Sequence, residues 1–225
     1  MAGWSGLARR SARRIFRDRR EAGRVLAGAL AAYRGRNDLL ILGLARGGLP
    51  VAWEVAADLG APLDVFLVRK LGVPQWEELA MGALASGGGL VLNDNLIKSI
   101  GVSDEALRAA IDRETDELNR REAAYRAGRP AADPKGKVAI IVDDGIATGA
   151  SMLAAVRAVR AAEPASIVVA APVGPSSACI QLAREADDVV CATTPTSFEA
   201  VGQVYADFHQ VSDDEVRELL AKPTS

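Results

Sequence analysis

The stretch that most constrains this chain is Val138 to Ser151, VAIIVDDGIATGAS. Val138 to Val142 is an unbroken apolar run, the pattern of a strand buried on both faces of a parallel sheet. Two carboxylates, Asp143 and Asp144, follow where that strand would emerge at its carboxyl end. In open α/β sheets, ligands bind at that end. Gly145, Ile146, Ala147, Thr148, Gly149, Ala150 and Ser151 form a small-residue loop, and a helical pattern begins behind it. The first amides of a helix lack internal partners and carry partial positive charge, which suits an anion and phosphate above all. One stretch thus offers two acids for hydroxyls or a metal, beside a backbone cradle for phosphate. Alone, it would also suit a plain strand–turn–helix joint with incidental aspartates.

A second turn of the same kind lies upstream. Leu39 to Leu44 (LLILGL) predicts a buried strand, and Ala45, Arg46, Gly47 and Gly48 lead into a helix ending near Leu59. Glycines allow close backbone approach, and Arg46 supplies a planar fixed cation. GxGxxG and GK[ST] are both missing, so dinucleotide and P-loop readings lack their fingerprints. Leu63 to Val68 predicts another strand, with Arg69 and Lys70 at its end. Gly72 to Leu79 reads as a mobile loop. Ala80 to Ala85 and Leu90 to Asn93, around three glycines, read as a β-hairpin. A helix over Ser103 to Arg126 precedes the opening stretch. After it come a helix over Ala150 to Ala162, a strand over Ser166 to Ala171, a helix over Ser176 to Glu185, a short strand over Asp188 to Cys191 and a last helix from about Asp213 to Ala221. The order β-α-β-hairpin-α-β-α-β-α-β predicts an α/β fold with a doubly wound, mostly parallel sheet.

A length of 225 residues suits one domain. Its expected parts are a core of about 38–194, an N-terminal helix over 5–33 and a terminal segment of about 195–225. The net charge of -2 argues against nucleic acid as a partner. Arg9, Arg10, Arg13, Arg14, Arg17, Arg19, Arg20 and Arg24 fall within sixteen residues, opposed only by Asp18 and Glu21. An anion-facing arm or a transit segment would use such a run. A solvated helix face with i,i+4 pairs is the simpler reading, and we take it. No apolar run reaches the ~18 residues of a membrane span, and the N-terminus lacks an apolar signal core, so a cytoplasmic location is the default expectation. Cys179 and Cys191 make neither a disulfide framework nor a metal cluster. His209 is the only histidine, which excludes a His-based triad or zinc site.

Acid pair, loop length and Thr-Gly-Ala-Ser in register resemble the ribose-phosphate motif of type I phosphoribosyltransferases. The resemblance covers about residues 38 to 194. Within that family it is nearest to a branch with an RGG loop, an RKLGVP segment leading to the lid and an FxAVGxxYxDF-like tail, whose acceptor is unassigned. It implies a hairpin lid, a hood formed from terminal segments, and transfer of the 5-phosphoribosyl group from phosphoribosyl pyrophosphate with Mg²⁺. The catalytic roles fall to Asp143, Asp144, Arg46 and Lys70. Asp143 and Asp144 would hold the ribose hydroxyls, with Asp144 reaching the metal through water. The backbone amides of Ala147, Thr148, Gly149, Ala150 and Ser151, with the hydroxyls of Thr148 and Ser151, would hold the 5-phosphate, and Gly145 and Ile146 would belong to the same substrate site. Ala45, Arg46, Gly47, Gly48, Arg69 and Lys70 would receive pyrophosphate, and the peptide before Arg46 is often cis in this family. Phe198 to His209 would either stack on the acceptor, Phe198 foremost, or seal the hood against the core. A homodimer is the implied assembly.

One departure narrows the acceptor. Hypoxanthine and guanine transferases carry a further aspartate just before the Thr-Gly, and here that residue is Ala147. Adenine-, orotate- and uracil-type enzymes lack it too, so the small-molecule acceptor stays open. Glu77 or Glu78 in the lid could serve as an acid or base. The main competitor to a transferase is a non-catalytic regulator of the same fold that senses phosphoribosyl pyrophosphate or a nucleotide. A phosphohydrolase on this scaffold is a weaker third.

Overall fold

The computed structural model describes residues 15–74, 76–222 and 224; residues 1–14, and with them the first part of the expected N-terminal helix, lie outside the described residues, as do the side chains of Glu77 and Glu78. The chain runs α1 (Arg19–Ala29), β1 (Leu39–Leu44), α2 (Gly48–Leu59), β2 (Leu63–Phe66), β3 (Val68–Val73), β4 (Trp76–Ala85), β5 (Gly89–Leu92), α3 (Asp94–Ile100) and α4 (Asp104–Arg126). It continues through β6 (Val138–Val142), α5 (Ala150–Ala161), β7 (Ser166–Val173), α6 (Ser176–Leu182), β8 (Asp188–Thr193) and α7 (Asp213–Ala221). No helix among the described residues is long and apolar enough to cross a membrane.

Five parallel strands form the main sheet in the order β2-β1-β6-β7-β8. Every residue of β1 and β6 is buried, as their unbroken apolar runs require. Alternate residues feed two cores. Leu40, Leu42, Ala139 and Ile141 pack with Met152 and Val156 of α5. Leu39, Ile41, Val138 and Ile140 pack with Leu26 of α1 and with Val51 and Val55 of α2. From β1 the chain winds outward to β2, and from β6 outward to β7 and β8. The order therefore reverses between β1 and β6, and a crevice opens at their carboxyl ends. Leu39 pairs with Val138 and Gly43 with Val142, which sets Ala45 to Gly48 and Asp143 to Ser151 on opposite banks of that crevice.

The second sheet is antiparallel, in the order β3-β4-β5, and packs through Leu71, Met81 and Leu84 on Leu118 and Tyr125 of α4 and Val216 of α7. It changes three expectations. The strand expected over Leu63 to Val68 is two strands. Ser86 accepts from the Leu67 amide at 2.8 Å and donates its own amide to the Leu67 carbonyl at 2.9 Å, pulling the chain off the main sheet. Arg69 and Lys70 therefore lie inside β3 rather than at the end of a core strand. Gly72 to Leu79 is not a loop either, since Gly72 pairs with Ala80 and Val73 with Trp76. Helix α3 has no counterpart in the sequence reading; Asn93 caps it by accepting from the Leu96 amide at 3.2 Å, and Gly101 closes it at φ 69°.

A fourth difference lies at the N-terminus. The helix begins only at Arg19, because the Asp18 side chain caps the Glu21 amide at 2.7 Å. Before the cap the chain is extended and joins the C-terminal segment. The Phe16 amide donates to the Val204 carbonyl at 2.7 Å, and the Phe16 carbonyl accepts from the Ala206 amide at 2.7 Å. Phe16 packs 5.6 Å from the Tyr205 ring. The two ends of the described chain thus form one hood. His209 fastens it to α7, with its ring nitrogens 3.2 Å from Glu215 and 3.1 Å from Asp207.

Two of these ties can be tested by substitution. Asp64 of β2 accepts from Arg126 at 3.2 Å and from the Ala132 amide at 2.8 Å, and both partners of this ion pair are buried. Removing Asp64 strips the Ala132 amide of its acceptor and leaves the buried Arg126 with Glu122, 3.1 Å away, as its carboxylate partner. Asp64→Ala should lower unfolding free energy by about 1–3 kcal/mol, measured by urea titration; an unchanged unfolding midpoint would contradict the arrangement. The hydrogen bonds to Glu215 and then Asp207 raise the His209 pKa above its ordinary value. The stability it contributes is fully present below about pH 6.5 and is lost as pH rises through the raised folded value. Wild type should therefore lose thermal stability across that window relative to His209→Gln; parallel melting curves would contradict it.

Candidate active site

Both predicted anion loops meet the acid pair. The Ala45–Arg46 peptide is cis. Behind it the chain passes so close to the acids that side chains are excluded. A Cβ on Gly48 would lie 2.7 Å from the Val142 carbonyl oxygen and 2.8 Å from Asp143 Cα. One on Gly47 would fall on Asp144 Oδ2 and 2.9 Å from its Cγ. The two glycines are thus required by contact across the crevice, not by a special φ.

Asp144 is buried, and its Oδ2 accepts from Arg19 Nε at 2.8 Å. Asp143 Oδ1 accepts from the Asp144 amide at 2.8 Å. Arg19 is itself buried; its Nη1 donates to the His209 carbonyl at 2.7 Å, and its guanidinium lies 4.0 Å from the centre of the Phe208 ring. Tyr205 donates its hydroxyl to the Asp144 carbonyl at 2.6 Å and stacks on Phe208 with ring centres 5.0 Å apart. Burial raises the pKa of both acids. For Asp143 the neighbouring Asp144 charge adds to the rise, whereas Arg19 opposes it on Asp144. Asp143 is therefore the member of the pair that holds a proton longer. Burial also pushes the Tyr205 phenol well up, so it stays a hydrogen-bond donor.

The loop beyond the acids has a buried root and an open tip. Ile146 is buried, and its amide donates to the Val173 carbonyl at 2.8 Å. A Cβ on Gly145 would lie 2.5 Å from Val201 Cγ1. Ala147, Thr148, Ala150 and Ser151 are exposed. Gly149 caps α5 at φ 82° with no side chain bonded to the helix start, and Thr148 Oγ1 accepts from the Ala150 amide at 3.4 Å. The first amides of a twelve-residue helix are thereby turned to the open tip.

The predicted cations divide into two groups. Arg46 reaches Asp213 of α7 at 3.4 Å, and Asp213 accepts the Tyr125 hydroxyl at 2.7 Å. Arg69 instead donates to Glu114 of α4 at 2.9 Å, and Lys70 is exposed beside it in a cleft of 450 Å³ with Arg113. Glu114 and Tyr125 are about 16 Å apart along α4 at 1.5 Å per residue. Arg69 and Lys70 are therefore not gathered with Arg46 here. Phe198 is half-buried against a cluster that includes Phe16 and Tyr205, and it is Phe208 that covers Arg19. Sequence reasoning does not find Arg19 and Asp213 as site residues; it places Tyr205 and Phe208 in the hood, without their contacts to Asp144 and Arg19. The arginine run does contain Arg19, but reading that whole run as a solvated face fails at this position. Arg20 and Arg24 are half-exposed and pair with Glu54, whereas Arg19 faces inward. Among the described residues no group of three or more His, Cys, Asp and Glu could hold a metal alone.

A family model described as the phosphoribosyl transferase domain matches residues 18–209. Two curated proteins of Mycobacterium tuberculosis, from strains CDC 1551 and H37Rv and provisionally named phosphoribosyl transferases, are each 48% identical over 207 residues. The match covers 92% of this chain and 46% of each relative, so the chain spans about half the length of these curated proteins. A crystal structure of a Thermus thermophilus protein is 45% identical, with a TM-score of 0.79 over 92% of this chain and 97% of that one. The extent of the family match, together with a switch-point crevice lined by RGG and DDGIATGAS, leaves one assignment: the chain belongs to the phosphoribosyl transferase family.

Proposed function

We propose that the protein transfers a 5-phosphoribosyl group from phosphoribosyl pyrophosphate to a small-molecule acceptor and releases pyrophosphate. The observation that carries this reading is the convergence at one crevice of two acids, an open helix-start loop and an Arg-Gly-Gly loop. A ribose with phosphate at one end and pyrophosphate at the other presents the matching groups in that order. Asp143 Oδ2 and Asp144 Oδ1, which accept no hydrogen bond from another described residue, would take the ribose hydroxyls. The amides of Gly149 to Ser151, with the Thr148 and Ser151 hydroxyls, would take the 5-phosphate. Arg46 and the amides of Gly47 and Gly48 would take pyrophosphate, Arg46 exchanging Asp213 for the ligand.

The leaving group is a polyanion and the ribosyl centre becomes cationic, so catalysis here is positioning and electrostatics. The acids face the ring that gains positive charge, and Arg46 faces the group that gains negative charge. Mg²⁺ fits a site of this kind: two carboxylates without a complete protein cage leave most of its shell to substrate oxygens and water. When bound it would supply positive charge to the departing pyrophosphate, and Asp144 would be the residue that holds it through water. Bringing Arg69 and Lys70 to the same ligand needs the β3–β4–β5 sheet to move and Arg69 to release Glu114, a closure that would also exclude water. Phe198 and Phe208 stand on the hood, where an acceptor ring would stack. Ala147 offers no acid to that ring, which disfavours hypoxanthine and guanine.

Phosphoribosyl pyrophosphate with Mg²⁺ should bind the wild type, and Asp143→Asn combined with Asp144→Asn should abolish the heat of binding; unchanged calorimetry in the double variant would remove the acids from the site. Chelation of Mg²⁺ should weaken the same binding. Pyrophosphate release, screened over nucleobases and small amines, should appear with one acceptor class. Retained donor binding without release from any acceptor would favour the regulatory reading.

A further inference from the structure

Arg19 lies outside the sheet core, 125 residues from its partner, yet its side chain is only 8% exposed and ends on Asp144. Each side of that contact is fixed. Nε holds Asp144 Oδ2 at 2.8 Å, Nη1 holds the His209 carbonyl at 2.7 Å, and the Phe208 ring covers the guanidinium at 4.0 Å. On the far side Gly47 leaves no room for a Cβ between its backbone and Asp144, and that Cβ would also lie 3.5 Å from Arg19 Nη2. Tyr205 fixes the backbone of the same aspartate by donating to its carbonyl at 2.6 Å.

We propose that Arg19 is a positioning residue of the donor site: it takes one oxygen of Asp144 so that the carboxylate plane is set and the other oxygen alone faces the ribose diol. The inference rests on the phosphoribosyl pyrophosphate reading. A carboxylate on a free strand end samples several χ2 orientations, since that torsion is broad. Asp144 does not have this freedom, because Arg19 and Gly47 wedge it from both sides. The orienting group comes from the N-terminal segment and is itself held by the C-terminal hood. Both ends of the described chain therefore complete a site whose loops belong to the sheet. A guanidinium suits the task because its rigid fork spans Asp144 and the His209 carbonyl together, which a lysine ammonium cannot do in one geometry.

A double-mutant cycle on donor affinity tests this. Phosphoribosyl pyrophosphate with Mg²⁺ is titrated calorimetrically into wild type, Arg19→Met, Asp144→Asn and the double variant. Arg19→Met should weaken binding by on the order of a hundredfold, and Arg19→Lys by less. In the Asp144→Asn background, Arg19→Met should change affinity by less than about threefold, because its effect runs through the carboxylate. Millimolar guanidinium should restore part of the affinity of Arg19→Ala and leave Arg19→Ala combined with Asp144→Asn unchanged. If Arg19→Met does not fold, Arg19→Lys and Phe208→Leu carry the cycle, each with a smaller loss that likewise disappears in Asp144→Asn. Wild-type binding with no loss in Arg19→Met, or losses that add in the double variant, would overturn the positioning role alone. A wild type that binds no donor would instead remove the donor reading, and the positioning role with it.

Discussion

A carboxylate at the end of a buried strand is the constraint around which the rest of this site is arranged. Taking an ion of that size out of water costs several kcal/mol even after relaxation, and here two adjacent carboxylates emerge together. Asp143 offsets its share by accepting the following amide, and Asp144 by pairing with Arg19. The second solution dictates features far away in sequence. It calls for an arginine on an added N-terminal helix, a carbonyl from the C-terminal segment to take the arginine's spare hydrogen bond, and an aromatic ring to keep water off it. It also explains why the Arg46 loop carries Gly47, since any side chain there would strike Asp144.

The parallel core was legible because a strand buried on both faces leaves an unmistakable apolar run. The observed β1 and β6 have the bounds read from LLILGL and VAIIV, and α7 spans Asp213–Ala221 as expected. The acid pair, the glycine loop and the helix start were legible for a related reason. Each chemistry sits at the end of such a run, and its partners lie within a few residues. What stayed hidden depends on contacts between distant residues. No local pattern separates Arg19, which turns inward, from Arg20 and Arg24 on Glu54. The break between β2 and β3 depends on Ser86, which captures Leu67 from nineteen residues away. The Gly72 to Leu79 stretch looked like a loop because its glycine and proline are turn residues. In the fold they mark a hairpin turn and a register shift, since Gly72 and Val73 still pair across to β4.

The division of the cations has a mechanical meaning. Arg46 stands on the main sheet's crevice and is balanced by Asp213, whose carboxyl the Tyr125 hydroxyl and Arg46 hold below its usual range. Arg69 stands on the second sheet and is balanced by Glu114. Both arginines are thus neutralised by neighbours on helices packed outside the crevice. A polyanionic ligand competes for them only by exchanging one charged partner for another, which keeps the cost of entry small. The chain crosses from the first sheet to the second at Leu67, which Ser86 holds through two hydrogen bonds.

The acceptor side is organised differently. At Ala147 the loop presents a methyl group rather than an acid or base. Phe208 is committed on one side to Arg19 and Tyr205, yet it remains 39% exposed. In the proposed transfer, specificity for an acceptor would come from shape, stacking and main-chain hydrogen bonds, since Ala147 offers neither acid nor base. Such a site discriminates weakly between rings of similar outline. In the proposed transfer the chemical burden would then fall on the donor half, where Arg19 and Tyr205 hold Asp144 and Arg46 would exchange Asp213 for the ligand.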